Sequence, residues 1–65
     1  MDANIIASRL RSLRGSRSRI DTAQRLGIST SALSMYERGE RIPRDEVKIR
    51  FANLYQKSVQ EIFYD

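Results

Sequence analysis

The side chains best equipped for chemistry in this chain are arginines. Of its 65 residues, twelve are basic, ten of those are arginine, and eleven of the twelve fall between Arg9 and Arg50. The formal charge is +4. A guanidinium offers parallel N–H donors that match the oxygens of a phosphate, so an arginine bias points toward polyanions. A merely solvated surface has a similar composition, and charge alone does not choose among DNA, RNA and anionic lipid. Other chemistries lack their residues. The chain contains neither histidine nor cysteine, which removes the thiolate nucleophile, the imidazole base and the soft metal ligands. It also has no clustered carboxylate pair and no phosphate-cradling glycine loop. An enzyme is not expected, and neither is a cofactor, a metal or a small-molecule ligand.

The elements that must carry these arginines are short helices. The length suits a single domain over 1–65 with one small core and a thin stability margin. Neither disulfides nor metal can reinforce it. The start, Met1-Asp2-Ala3-Asn4-Ile5-Ile6, lacks the basic and long apolar stretches of a signal peptide. No apolar run approaches the roughly 18–20 residues needed to span a bilayer. A soluble, cytoplasmic protein without membrane contact is therefore expected.

Helix 1 is predicted over about Ala3–Leu13, with Ile6, Leu10 and Leu13 on one stripe. Ser18 caps helix 2 (about 18–26), with Asp21 completing a capping box and Gly27 in the left-handed stop position. Ser29 caps helix 3 (about 29–38), which Gly39 stops. Pro43 opens helix 4, with Asp45 and Glu46 at the positive end of its dipole. Val47, Phe51, Leu54 and Tyr55 form one stripe of helix 4, while Ile49 and Ala52 lie toward another side. Ser58-Val59-Gln60-Glu61 is a second capping box, opening a short helix 5 with Ile62 and Phe63. The expected class is all-α, with five helices.

The informative stretch is Arg19 to Gly39, RIDTAQRLGISTSALSMYERG. Ala23 suits a close helix crossing, and Gly27 a sharp turn. Leu26, Ile28, Leu33 and Tyr36 read as core. The spacing of Ala23, Gly27, Leu33 and Tyr36, with Glu37-Arg38-Gly39 and Pro43, resembles the helix-turn-helix of the XRE (lambda repressor/Cro-like) family. The resemblance extends from about Ile6 to Phe63. Four features depart from the family pattern. Arg19 stands where glutamine is usual, and Thr22 occupies an aliphatic position, where its hydroxyl needs a partner such as a carbonyl one turn back. Lys57 replaces a buried aliphatic and must snorkel. The connection after Arg14 is short.

The resemblance implies a five-helix lambda-repressor-like domain whose helix 3 enters the major groove of double-stranded DNA. It makes Thr30, Ser31 and Met35 base contacts, and Ser34 a base or phosphate contact. That face holds no arginine, glutamine or asparagine, so the bidentate readouts of guanine and adenine are missing from it. Hydroxyls, the Met35 thioether and the Thr30 methyl leave modest direct readout, a thymine preference and reliance on water or DNA shape. Phosphate contacts are expected from Arg19, Ser18, Arg17, Arg38, Arg41 and Arg44, the last directed at a narrow minor groove. Arg14 and Glu37 are expected to form a structural ion pair. By resemblance, the chain is a bacterial or phage transcription regulator, a prophage-type repressor acting as a homodimer on a palindromic operator. Ile49, Leu54, Phe63 and Tyr64 are candidates for the dimer interface. The alternative is an antitoxin-like or accessory protein-interaction module on the same fold.

Overall fold

The computed structural model describes residues 1–64 and contains five helices: α1 (Ala3–Arg14), α2 (Arg19–Leu26), α3 (Thr30–Glu37), α4 (Asp45–Tyr55) and α5 (Val59–Phe63). Among the described residues none of these is long and apolar enough to cross a membrane. Four of the five starts are set by a side-chain cap. The Asp2 carboxylate accepts from the amides of Asn4 and Ile5 and caps α1. Ser18 and Ser29 accept from Asp21 N at 2.9 Å and Ala32 N at 3.0 Å, capping α2 and α3. Ser58 and Glu61 form the full reciprocal box at α5. These bonds satisfy amides that a helix start leaves without internal partners.

Two of these starts differ from the sequence reading. Asp21 completes only half of its box, because its carboxylate turns to Arg25 Nε at 2.9 Å instead of back to Ser18. Pro43 does not open α4. It is buried two residues ahead of Asp45, and Arg44 stands at the N-cap with no side-chain cap bond.

Two glycines fix the geometry around α3. Gly27 adopts φ 70°, ψ 30° after α2, a left-handed conformation that glycine enters without a Cβ penalty. Gly39, at φ 74°, is also a point of close approach. A Cβ there would stand 2.6 Å from Asn4 Oδ1 and 3.3 Å from the Ala3 carbonyl. The start of α1 thus packs directly on the turn that ends α3.

The core is centred on Phe51, whose ring centroid lies 6.0 Å from each of Tyr36, Tyr55 and Phe63. Ile6, Leu10, Ala23, Leu26, Leu33, Val47, Ala52 and Ile62 complete it, with Leu13, Ile28, Leu54 and Val59 packed at its margin. α1 packs on α3 and α5, α2 on α3 and α4, and α4 on α5. The Arg50 guanidinium donates to the Leu26 carbonyl, and Arg9 donates to the carbonyls of Ile62 and Tyr64. Both arginines tie off carbonyls at helix ends.

Three polar residues settle differently from expectation. Thr22 Oγ1 is fully buried and meets no hydrogen-bond partner among the described residues, so the carbonyl one turn back does not serve it. Lys57 is exposed. The buried lysine is Lys48, whose Nζ donates to Tyr64 Oη at 3.1 Å and lies 3.5 Å from Asp45 Oδ1. That hydrogen bond, aided by the Asp45 charge, holds the Lys48 ammonium above its ordinary pKa.

Candidate nucleic-acid interface

α3 presents two faces. Leu33 and Tyr36 are buried on the inner one. On the outer one, Thr30, Ser31, Ser34 and Met35 line a shallow recess together with Arg38 and Glu40. The structure therefore brings together the four residues read as base contacts and adds a charged pair at their edge. Arg38 Nε lies 2.8 Å from Glu40 Oε2, and Arg38 Nη2 donates to Glu40 Oε1 at 3.2 Å.

Behind α3 lies a second arrangement of charge. Glu37 is 2% exposed, and its Oε2 accepts from Arg14 Nε at 2.8 Å. Its other oxygen stands 3.5 Å from Arg19 Nε. The Arg11 guanidinium donates to the Glu37 backbone carbonyl, and Arg14 also donates to the Arg17 carbonyl at 2.7 Å. One buried carboxylate thus joins the end of α1, the start of α2 and the last turn of α3. A buried ion is tolerated only when it is paired. Glu37 has Arg14 on one oxygen and the Arg19 charge near the other, although that second oxygen accepts no hydrogen bond among the described residues. Its charge reaches Tyr55. Burial, and secondarily the negative charge of Glu37, push the Tyr55 hydroxyl above the usual tyrosine range, while Arg14 and Arg17 pull it back.

This geometry, an α2–turn–α3 unit locked from behind and bearing polar groups in front, is that of a helix-turn-helix. Residues 10–62 match a family model described as helix-turn-helix, which spans most of the chain. The chain belongs to the XRE family of helix-turn-helix proteins. No curated protein and no solved structure matches it. As a member of this family it is a DNA-binding regulator, which gives the arginines a polyanion to meet.

They do not form one uniform patch in this XRE-family chain. Arg19, 55% exposed, lines a recess with Arg11, Ser34, Glu37 and Arg38 beside the outer face of α3. Ser18, next to Arg19, is exposed, its oxygen accepting the α2 cap bond. Arg41 and Arg44 are exposed in the α3–α4 connection, with Arg44 Nη1 3.6 Å from Glu46. Arg17 is not with them. Its guanidinium lies over the Tyr55 ring at 5.9 Å and lines a different depression with Asp21, Arg25 and Leu54.

Of the candidate interface residues, Phe63 is excluded, because it is 1% exposed in the core against Phe51. Leu54 is half-buried at the core margin. Ile49 and Tyr64 remain exposed, at 53% and 38%. Sequence reasoning missed Arg11 and Glu40. The position of Arg11 one turn before Arg14 was a usable signal. The position of Glu40, two residues after Arg38 across a glycine, shows its meaning only once the left-handed Gly39 folds the chain back.

Proposed function

We propose that this protein is a repressor-type regulator that binds a two-fold operator as a homodimer. The observation that supports this reading is the recess on the outer face of α3. There Thr30, Ser31, Ser34 and Met35 stand together on a helix fixed from behind by the Arg14–Glu37 pair and flanked by exposed arginines. In this reading Thr30, Ser31 and Met35 touch base edges and Ser34 a base or phosphate. Hydroxyls pair with many edges, and methyl and thioether groups favour the thymine methyl.

Arg19, with the α2 amides and the Ser18 hydroxyl proton, holds a phosphate at the start of α2. Arg41 and Arg44 follow the backbone on the other side, with Arg17 a more distant contributor. One module of this size reads few bases, and a second copy on a symmetric site supplies the rest. Ile49 and Tyr64 are the exposed apolar side chains retained for that contact.

Selection of bound duplexes from a random pool tests the proposal, and it should return an inverted repeat with half-sites about one helical turn apart. Sedimentation at micromolar concentration, with and without that duplex, should show two copies on DNA. An unenriched pool would instead favour the protein-interaction module. Arg19→Ala should weaken binding to every sequence and reduce the salt slope by about one. An effect confined to one sequence would remove Arg19 from the phosphate contacts.

A further inference from the structure

The reading recess is built of hydroxyls and a thioether, except at its edge, where Arg38 and Glu40 meet. The two carboxylate oxygens face Arg38 Nε, at 2.8 Å, and Nη2, at 3.2 Å. Both donors belong to one edge of the planar guanidinium. The carboxylate therefore occupies that edge and leaves the other, formed by Nη1 and the second Nη2 proton, open. Both side chains are more than half exposed, Arg38 at 61% and Glu40 at 53%.

This arrangement is poorly suited to a phosphate and well suited to a base. Phosphate contacts draw strength from net positive charge and the counterions it displaces, and a pair of one arginine and one glutamate has no net charge to offer. Guanine asks for something else. Its O6 and N7 are two acceptors in one plane, matched by two parallel N–H donors whose orientation is held. Glu40 supplies that hold. Its position agrees, since it lines the same recess as Thr30, Ser31, Ser34 and Met35.

We propose that Arg38 reads a guanine edge in the major groove and that Glu40 is the positioning residue that fixes its guanidinium plane. The proposal rests on the reading of α3 as the DNA-contacting helix. It restores to this face a bidentate readout that α3 alone lacks.

The test combines random-duplex selection with salt titration of affinity for the wild type, Arg38→Ala, Arg38→Lys and Glu40→Gln. The wild type should select guanine at one position of each half-site. Arg38→Ala should lose that preference, on the order of tenfold. Arg38→Lys should lose it as well, because an ammonium lacks two fixed parallel donors. Glu40→Gln should still bind, but with a blurred guanine preference and a slope steeper by about one, as the released guanidinium becomes a free charge. Thermal melts should place all three variants close to the wild type, since neither side chain is buried.

If Arg38→Ala lowers the slope by about one and leaves the selected sequences intact, Arg38 is a phosphate contact and the proposal fails. A guanine preference that survives in Glu40→Gln with full strength removes Glu40 from the positioning role. A wild-type protein that enriches no duplex overturns the DNA-reading function itself, and the guanine contact with it.

Discussion

The two arginine–glutamate pairs that bracket the end of α3 use the same chemistry in opposite surroundings. Arg14–Glu37 and Arg38–Glu40 each close at 2.8 Å through Nε. The first has a carboxylate 2% exposed, whereas the second is more than half exposed on both sides. Water screens the exposed pair and competes for its hydrogen bonds, so little stability rests on it. Burial removes that competition and makes a cation obligatory for Glu37, whose carboxylate cannot return to solvent. Similar distances thus mean different things. The inner pair holds the fold and the outer pair is available to function.

The largest effect expected from this contrast is at Glu37. Glu37→Ala strands Arg14, 15% exposed, and should cost about 3–5 kcal/mol, enough to unfold much of a domain this small. Arg14→Ala should cost less, because Arg19 Nε remains 3.5 Å from the other oxygen of Glu37. Replacing both residues with leucine should cost less than Glu37→Ala alone. Denaturant melts of the four proteins test this ranking. A double variant less stable than Glu37→Ala would show that the pair contributes more than mutual neutralisation.

Next in size is Thr22, a second polar group in the interior without the compensation that Glu37 enjoys. Its hydroxyl is buried and unpartnered among the described residues. Thr22→Val keeps the shape and removes the desolvated oxygen, so it should stabilise by about 1 kcal/mol. A destabilised variant in the same melts would mean that the hydroxyl is satisfied in solution.

How much of this was legible in the sequence follows from the range of each interaction. Helix ends were readable because capping is local: Ser18, Ser29 and Ser58 act on amides three residues on, and Gly27 and Gly39 announce their own backbone. The core residues Ala23, Leu33 and Tyr36 followed from helical periodicity. The roles of individual arginines did not. Arg50 serves a carbonyl on α2, and Arg9 serves carbonyls on α5 and just after it. Both contacts span many residues of chain, so an arginine count cannot separate structural cations from those left for a polyanion. Lys57 and Lys48 fail for the same reason. The burial of Lys48 depends on Tyr64, which lies far along the chain and accepts from its ammonium, and the Asp45 contact one turn back does not announce it.

A smaller effect tests how far the field of the buried pair extends. Tyr55 ionises above the usual range because it is buried and because Glu37 opposes a second negative charge. A folded-state pKa above the unfolded one means that the folded chain holds the proton longer. Stability should therefore fall as pH rises through about 10. Lys48, also shifted upward, acts in the same direction, its contribution complete below about 10 and lost above. Tyrosinate absorbance should show Tyr55 titrating at lower pH in Glu37→Gln than in the wild type, and at an unchanged pH in Glu40→Gln. Equal shifts in both variants would erase the distinction between the two pairs.

The smallest effect belongs to the outer pair itself. Glu40→Gln and Arg38→Ala should each alter stability by no more than about 0.5 kcal/mol, and the change should shrink further in high salt, where exposed charges are screened. The value of this near-zero result lies in what it permits. A residue that can be removed without loss of fold can be judged on DNA selectivity alone, whereas a binding defect in a Glu37 variant always carries a folding defect within it. A melt showing Arg38→Ala more than about 1 kcal/mol less stable than the wild type would place the outer pair with the inner one. Selectivity changes in Arg38 variants would then need separation from instability, as they do at Arg14.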